Sequence, residues 1–191
     1  MPRLFVGLEL PNTTGEVLLG WREDIEGARW QRQDQLHLTL CFLGQVQPEQ
    51  VPALFRAMES PETDDFCITP TSVGCFGDPD QPRSLWAGVL PEAPVIGLHQ
   101  WVSRRLVEQG FGVGSGKFRP HITLARFGRH QAGSARDFLA QHRCSSAPEV
   151  MVRHVSLFLS NTGPEGSRYQ VLARFPLKKG LDAPHALTGP Q

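Results

Sequence analysis

Apolar residues recur along this chain with a period of two in some stretches and near 3.6 in others, which separates strands from helices. Leu4 to Leu10 is almost continuously apolar up to Pro11-Asn12, which predicts a buried strand. Val17, Leu18, Trp21 and Ile25 follow at helical spacing, with Thr13 or Thr14 as the N-cap and Glu16 in the first turn. Trp30 to Gln35 reads as polar connection, and Leu36 to Phe42 as a strand ended by Gly44. Pro48 opens a second helix whose apolar face is Val51, Leu54, Phe55 and Met58. Residues 66–69 and 72–76 predict a strand pair or one bent strand, and residues 77–83, with two Pro and two Asp, predict a turn. A strand over 84–90 leads to an amphipathic helix over 94–109, with Ile96, Leu98, Trp101, Val102 and Leu106 apolar. The glycine-rich stretch 110–116 reads as flexible connection, 121–127 as a strand, and 134–142 as a short helix. Two long strands, 149–160 and 167–177, flank a turn at 161–166, and the Pro-, Gly- and Ala-rich tail 178–191 is expected to be poorly ordered.

Two of these strands carry the same tetrapeptide, His37-Leu38-Thr39-Leu40 and His121-Ile122-Thr123-Leu124. Alternate side chains of a strand point to opposite faces. Each copy therefore has an apolar back and a front bearing imidazole and hydroxyl. With seven His and nine Thr in 191 residues, chance placement rarely yields even one such stretch. The copies also sit in a larger repeat. Leu4-Phe5-Val6-Gly7-Leu8 lines up with Leu85-Trp86-Ala87-Gly88-Val89, and each is followed by a helix, a His-x-Thr strand and a further helix. A duplicated unit predicts an α+β fold of two similar lobes about a pseudo-twofold axis, with antiparallel sheets lining a central cleft and helices outside. Residues 1–177 would form this single bilobal domain.

Two imidazoles on facing fronts suit a reaction in which one proton is removed and another delivered, because imidazole titrates near neutral pH. In-line cleavage of a phosphodiester has that requirement, and the threonines can donate hydrogen bonds to the non-bridging oxygens. Plain structural strands are the competing reading. Zinc on His37 and His121 is another, but it needs a third ligand, and His99, His130, His142 and His154 lie at no close ligand spacing to either motif. His185 lies in the tail. No metal and no cofactor is expected.

Composition narrows the partners. The chain is 40% hydrophobic and 20% charged, as an ordinary soluble globular protein is, and Lys plus Arg equals Asp plus Glu. It has no overall basic field for long duplex nucleic acid, so a nucleic-acid partner would be a short end. Lys117, Arg119, Arg126 and Arg129 nevertheless make a local basic edge beside the second motif. Cys41, Cys67, Cys75 and Cys144 form no Cys-x-x-Cys and are expected to be buried free thiols. Neither a signal-peptide pattern nor a membrane-length apolar run is present, which points to a cytoplasmic protein, with a monomer as the default.

The chain resembles the 2H phosphoesterase superfamily, and within it the bacterial RNA 2',3'-cyclic phosphodiesterases, also called 2'-5' RNA ligases or LigT-like proteins. The resemblance runs over residues 3–177. It rests on residues 3–11 (RLFVGLELP), 36–44 (LHLTLCFLG) and 119–126 (RPHITLAR). It implies opening of a terminal 2',3'-cyclic phosphate on RNA 3' ends to a 2'-phosphate, with reversible 2'-5' joining of ends. His37 would then be the proton donor, His121 the acceptor, and Thr39, Thr123 and Arg126 phosphate ligands. A nucleotide- or RNA-end-binding module with little catalysis is the alternative. Simple strand parity sends Arg126, five residues after His121, to the back face, so either the strand bulges near Ala125 or the side chain reaches round. Phe5 and Trp86, matched in the repeat, are candidates for stacking on a base or for core.

Overall fold

The computed structural model describes residues 2–114, 116–128, 132–163 and 166–180. Its strands are β1 (Arg3–Glu9), β2 (Ala28–Trp30), β3 (His37–Gln45), β4 (Phe66–Asp78), β5 (Gln81–Leu90), β6 (His121–Phe127), β7 (Val150–Val152), β8 (His154–Gly163) and β9 (Gly166–Pro176). Its α-helices are α1 (Asn12–Gly20), α2 (Val51–Met58), α3 (Glu92–Glu108) and α4 (Arg136–Gln141). The strands join in one antiparallel path, β7-β4-β5-β6-β3-β1-β8-β9, with β2 added to β6. The order is a palindrome of roles. In each half the His-x-Thr strand is innermost, the strand that opens the repeat lies next to it, and two further strands close the outside. The result is the α+β bilobal architecture, with both lobes drawn into a single sheet.

The back of that sheet is the core. Leu38, Leu40, Ile122 and Leu124 are at most 3% exposed. They pack with Val95, Leu98, Trp101, Val102 and Leu106, the buried stripe of α3. Burying the back fixes the front, because a slip of one residue would turn every imidazole inward.

Several local expectations are altered by tertiary context. The helix α1 starts at Asn12 after Pro11, and Thr14, expected as a cap, is buried with its hydroxyl donating to the Pro148 carbonyl. Residues 66–78 are one strand, irregular at Ser72, whose φ of 51° is left-handed and whose N–H donates to the Ser145 carbonyl. The strand β2 (Ala28–Trp30) overlaps the stretch read as polar connection at Trp30 alone, and three residues are too few to show a period. Lys178 is tied to Thr63 and Asp65 by backbone hydrogen bonds, so the chain stays held past Leu177; residues 181–191 lie outside the described ones. All four cysteines are free thiols, but only Cys41 is buried. Among the described residues no helix is long and apolar enough to cross a membrane.

Candidate active site

The strands β3 and β6 meet through one residue pair, Leu38 opposite Ile122. Both side chains are on the buried back. Antiparallel pairing then sets His37 beside Thr123 and Thr39 beside His121 on the front. The two histidines are diagonal neighbours, which a regular ladder holds about 7–8 Å apart, enough for a phosphate between them. On either side of this pair the two strands separate, and β2 fills one gap by pairing with residues 125–127 of β6.

Each imidazole is oriented in the same way. Nδ1 of His37 donates to the Gln35 carbonyl at 2.7 Å, and Nδ1 of His121 donates to the Arg119 carbonyl at 2.7 Å. A carbonyl oxygen only accepts, so Nδ1 carries hydrogen and Nε2 is left for proton exchange. Aromatic rings wall both groups: Phe5 and Tyr169 at 4.8 Å from His37, Phe76 at 5.0 Å and Trp86 at 6.2 Å from His121. His37 is pushed down to about 4, first by burial, against which the Gln35 carbonyl acts, and then by the positive charges of Arg126 and protonated His121. His121 is also held below its ordinary value, first by burial, then by Arg126 and Arg119. Both rings therefore favour the neutral form near pH 7.

Arg126 reaches the front because β6 bulges. Trp86 pairs with Thr123 and Leu85 with Ala125, which leaves Leu124 extra. Leu124 and Ala125 are buried in succession, and the alternation restarts with Arg126 exposed. Its charge acts on both histidines. The strand β3 bulges at the matching place, where Gly7 pairs with Thr39 and Val6 with Cys41 across the extra Leu40. Phe42 therefore stands to His37 as Arg126 stands to His121, and it is 66% exposed. The signal was present in the sequence, since both residues lie five positions after their histidine.

The same registers correct the repeat. Phe5 pairs with Phe42 on β3, whereas Ser84 pairs with Arg126 on β6. The structural partner of Phe5 is thus Ser84, and that of Trp86 is Gly7, two residues from the alignment read off the sequence. Neither aromatic offers an open face. Phe5 is 2% exposed and stacked on Phe158 at 4.7 Å; Trp86 is 6% exposed with the Arg119 guanidinium 4.6 Å over its ring. They form the floor beneath the histidines, and the exposed ring at the cleft belongs to Phe42.

The other sequence candidates disperse. His99 is stacked on Phe118 and bonded to the Leu40 carbonyl, His142 pairs with Glu23, and His154 pairs with Glu9. His130 and Arg129 lie outside the described residues. Among the described residues no group of three or more His, Cys, Asp or Glu converges as a metal site would. The basic edge divides in two. Lys117 and Arg119 border an apolar cavity against His121. Arg126 joins Arg29 and Arg32, which the sequence reading did not single out, around a polar groove of about 600 Å³. Arg126, Phe42, Arg3 and Tyr169 line a further pocket on the front.

The model of the LigT-like phosphoesterases matches residues 8–86 and 89–169. An RNA 2',3'-cyclic phosphodiesterase of Geobacillus stearothermophilus is 30% identical over 84% of this chain and 50% of its own length, so the chain spans half of that relative. The one from Archaeoglobus fulgidus is 29% identical over 91% of this chain and 99% of its own. Among solved structures, Escherichia coli LigT complexed with 3'-AMP superposes with a TM-score of 0.77 at 27% identity, covering 94% of this chain and 100% of that one. LigT has also been crystallised with ATP, NADP+ and phosphate. Both His-x-Thr strands fall inside the matched ranges, and this chain belongs to the LigT-like phosphoesterase family.

Proposed function

We propose that this chain is an RNA 2',3'-cyclic phosphodiesterase, opening a terminal cyclic phosphate to a 2'-phosphate by acid-base catalysis between two histidines. The observation that carries the reading is the paired geometry: two imidazoles, each with Nδ1 engaged by a carbonyl and Nε2 free, diagonal on one sheet face with a threonine beside each. Water attacks phosphorus as His121 takes its proton, and the 3' oxygen leaves with a proton from His37. A neutral His121 is ready to act as base. Burial and Arg126 disfavour a protonated His37, and the negative charge of a bound phosphodiester offsets Arg126 and raises its proton affinity. Thr39, Thr123 and Arg126 would stabilise the charge that builds on the non-bridging oxygens. The arginine-lined groove suits the phosphates of an RNA strand running up to the cyclic end, and nucleotide and phosphate complexes of LigT agree with such a ligand. Joining of ends through a 2'-5' linkage uses the same groups in reverse.

The test is turnover of a short RNA ending in a 2',3'-cyclic phosphate, with EDTA present throughout. The expected product is a 2'-phosphomonoester. Binding of that RNA without turnover would replace the enzyme with an RNA-end-binding module. Turnover that EDTA abolishes would refute metal-independent chemistry.

A further inference from the structure

His37 and His121 are each held by the residue two places before them, Gln35 and Arg119, whose backbone carbonyls take the Nδ1 hydrogen at 2.7 Å. Such a carbonyl is only as well placed as the segment that carries it. The Arg119 segment is anchored by its own guanidinium, 4.6 Å over the Trp86 ring. The Gln35 carbonyl sits at the end of a single 3₁₀ turn, Gln33–Gln35. So short a turn has little stability of its own, because one turn fixes several dihedrals for very few hydrogen bonds. Something else must hold it.

The Gln35 side chain does so. It is buried, and both ends of its amide are engaged. Oε1 accepts from the backbone N–H of Arg32 at 2.9 Å, and Nε2 donates to the Ser167 carbonyl at 2.7 Å. One partner can only donate and the other can only accept, so the amide sits one way round. The first bond closes the turn on itself. The second crosses to the β8–β9 hairpin, 132 residues further along the chain. Two residues past Ser167, Tyr169 meets the His37 ring edge-on at 4.8 Å. One side chain thus ties together two parts of the chain that fix this imidazole: the carbonyl that takes its Nδ1 hydrogen and a ring against its side.

We propose that the Gln35 amide is a positioning group for His37: by locking the turn to the hairpin it aims Nε2 at the departing 3' oxygen, without itself touching the reacting atoms. This rests on the phosphodiesterase reading with His37 as the acid. Proton delivery depends steeply on placement, and a shift of about 1 Å can cost about 10²-fold in rate. Binding of the RNA by the arginines and threonines does not pass through this amide, so its loss should fall on the chemical step.

Gln35→Met keeps the length of the side chain and removes both hydrogen bonds. With a short RNA ending in a 2',3'-cyclic phosphate, it should lower kcat at least about tenfold and change KM by less than about threefold. Most of the loss should be recovered on the corresponding 3'-thio substrate, whose sulfur leaves without a proton. The loss should also vanish in the His37→Ala background, because a group that acts only through His37 then has nothing to position. Gln35→Asn, whose amide stops one methylene short of its partners, takes the place of Gln35→Met if that variant does not fold, with the same expected pattern. A raised KM with kcat unchanged would make Gln35 a contact of the RNA strand in the groove that it borders, and overturn the proposal. So would an equal loss on the oxygen and sulfur substrates, an undiminished loss in the His37→Ala background, or an unchanged kcat. Absence of turnover of either substrate by the wild-type protein would instead refute the phosphodiesterase reading itself.

Discussion

His37 and His121 share a geometry, and the proposed reaction gives them different tasks. A cyclic phosphate with sulfur in place of the 3' bridging oxygen has a leaving group that needs no proton. His37→Ala should lose a factor of about 10²–10⁴ on the oxygen substrate and recover most of it on the sulfur one. His121→Ala should fail on both, and the opposite pattern would exchange the two roles. The ionisation of His37 gives a second check. Its midpoint in the free protein, read by NMR, is expected near 4. Arg126→Gln removes a positive charge that opposes protonation, so the midpoint should rise; a fall would mean that Arg126 is not near the ring. The sign for stability follows. Below pH 6.5 the unfolded chain takes up a proton that folded His37 refuses until about 4, so stability drops as pH falls through that window, by at most about 3 kcal/mol. Glu9, held down to about 2 first by its hydrogen bonds to Arg174 and then by Ser156, adds a loss between 4.5 and 2. His37→Ala should shrink the upper limb, to which the similarly lowered His121 also contributes, and leave the lower one, as measured by denaturant unfolding across pH.

At the scale of elements, the bulges and close strand contacts set where the front residues stand. An added Cβ at Gly7 would lie 2.6 Å from the Leu38 carbonyl oxygen, a backbone atom that cannot swing aside. Gly7→Ala should therefore push β1 from β3 and cost about 1–3 kcal/mol in denaturant unfolding. Activity should fall with it, because Leu38 is the residue through which β3 meets β6. An unchanged stability would mean that the sheet gives way there freely. The helix α3 was legible from the sequence because its apolar stripe repeats over several turns, whereas α1, read as carrying Trp21 and Ile25, ends at Gly20. The three-residue β2 was not legible, since so short a strand shows no period and is held by its pairing with β6.

The whole molecule carries no net charge, yet it gathers Arg29, Arg32 and Arg126 round one groove. If an RNA strand runs there, neutralising Arg29 should weaken binding by a similar factor for all sequences. It should also lower the slope of log affinity against log salt by about 1. Fluorescence anisotropy of a labelled oligonucleotide over a salt series would measure this, and an unchanged slope would remove the strand from the groove. The basic edge read from the sequence grouped Lys117 and Arg119 with Arg126 because they are near in number. The fold parts them, since β3 and β6 diverge on both sides of their single pair.

The sequence by itself determined the two His-x-Thr fronts, their apolar backs, the principal helices and the duplication, because each follows from local periodicity. Only the tertiary structure decided which residues join those fronts. The bulges at Leu40 and Leu124 depend on the partner strand, which takes up two residues against one, and they bring Phe42 and Arg126 into the cleft where counting by two sends them away. Phe5 and Trp86 went the other way: aromatic and suitably spaced, they were closed off by rings and a guanidinium from distant parts of the chain. The repeat alignment slipped by two for the same reason, since a shift of two keeps every residue on its face and only cross-strand hydrogen bonds distinguish the registers.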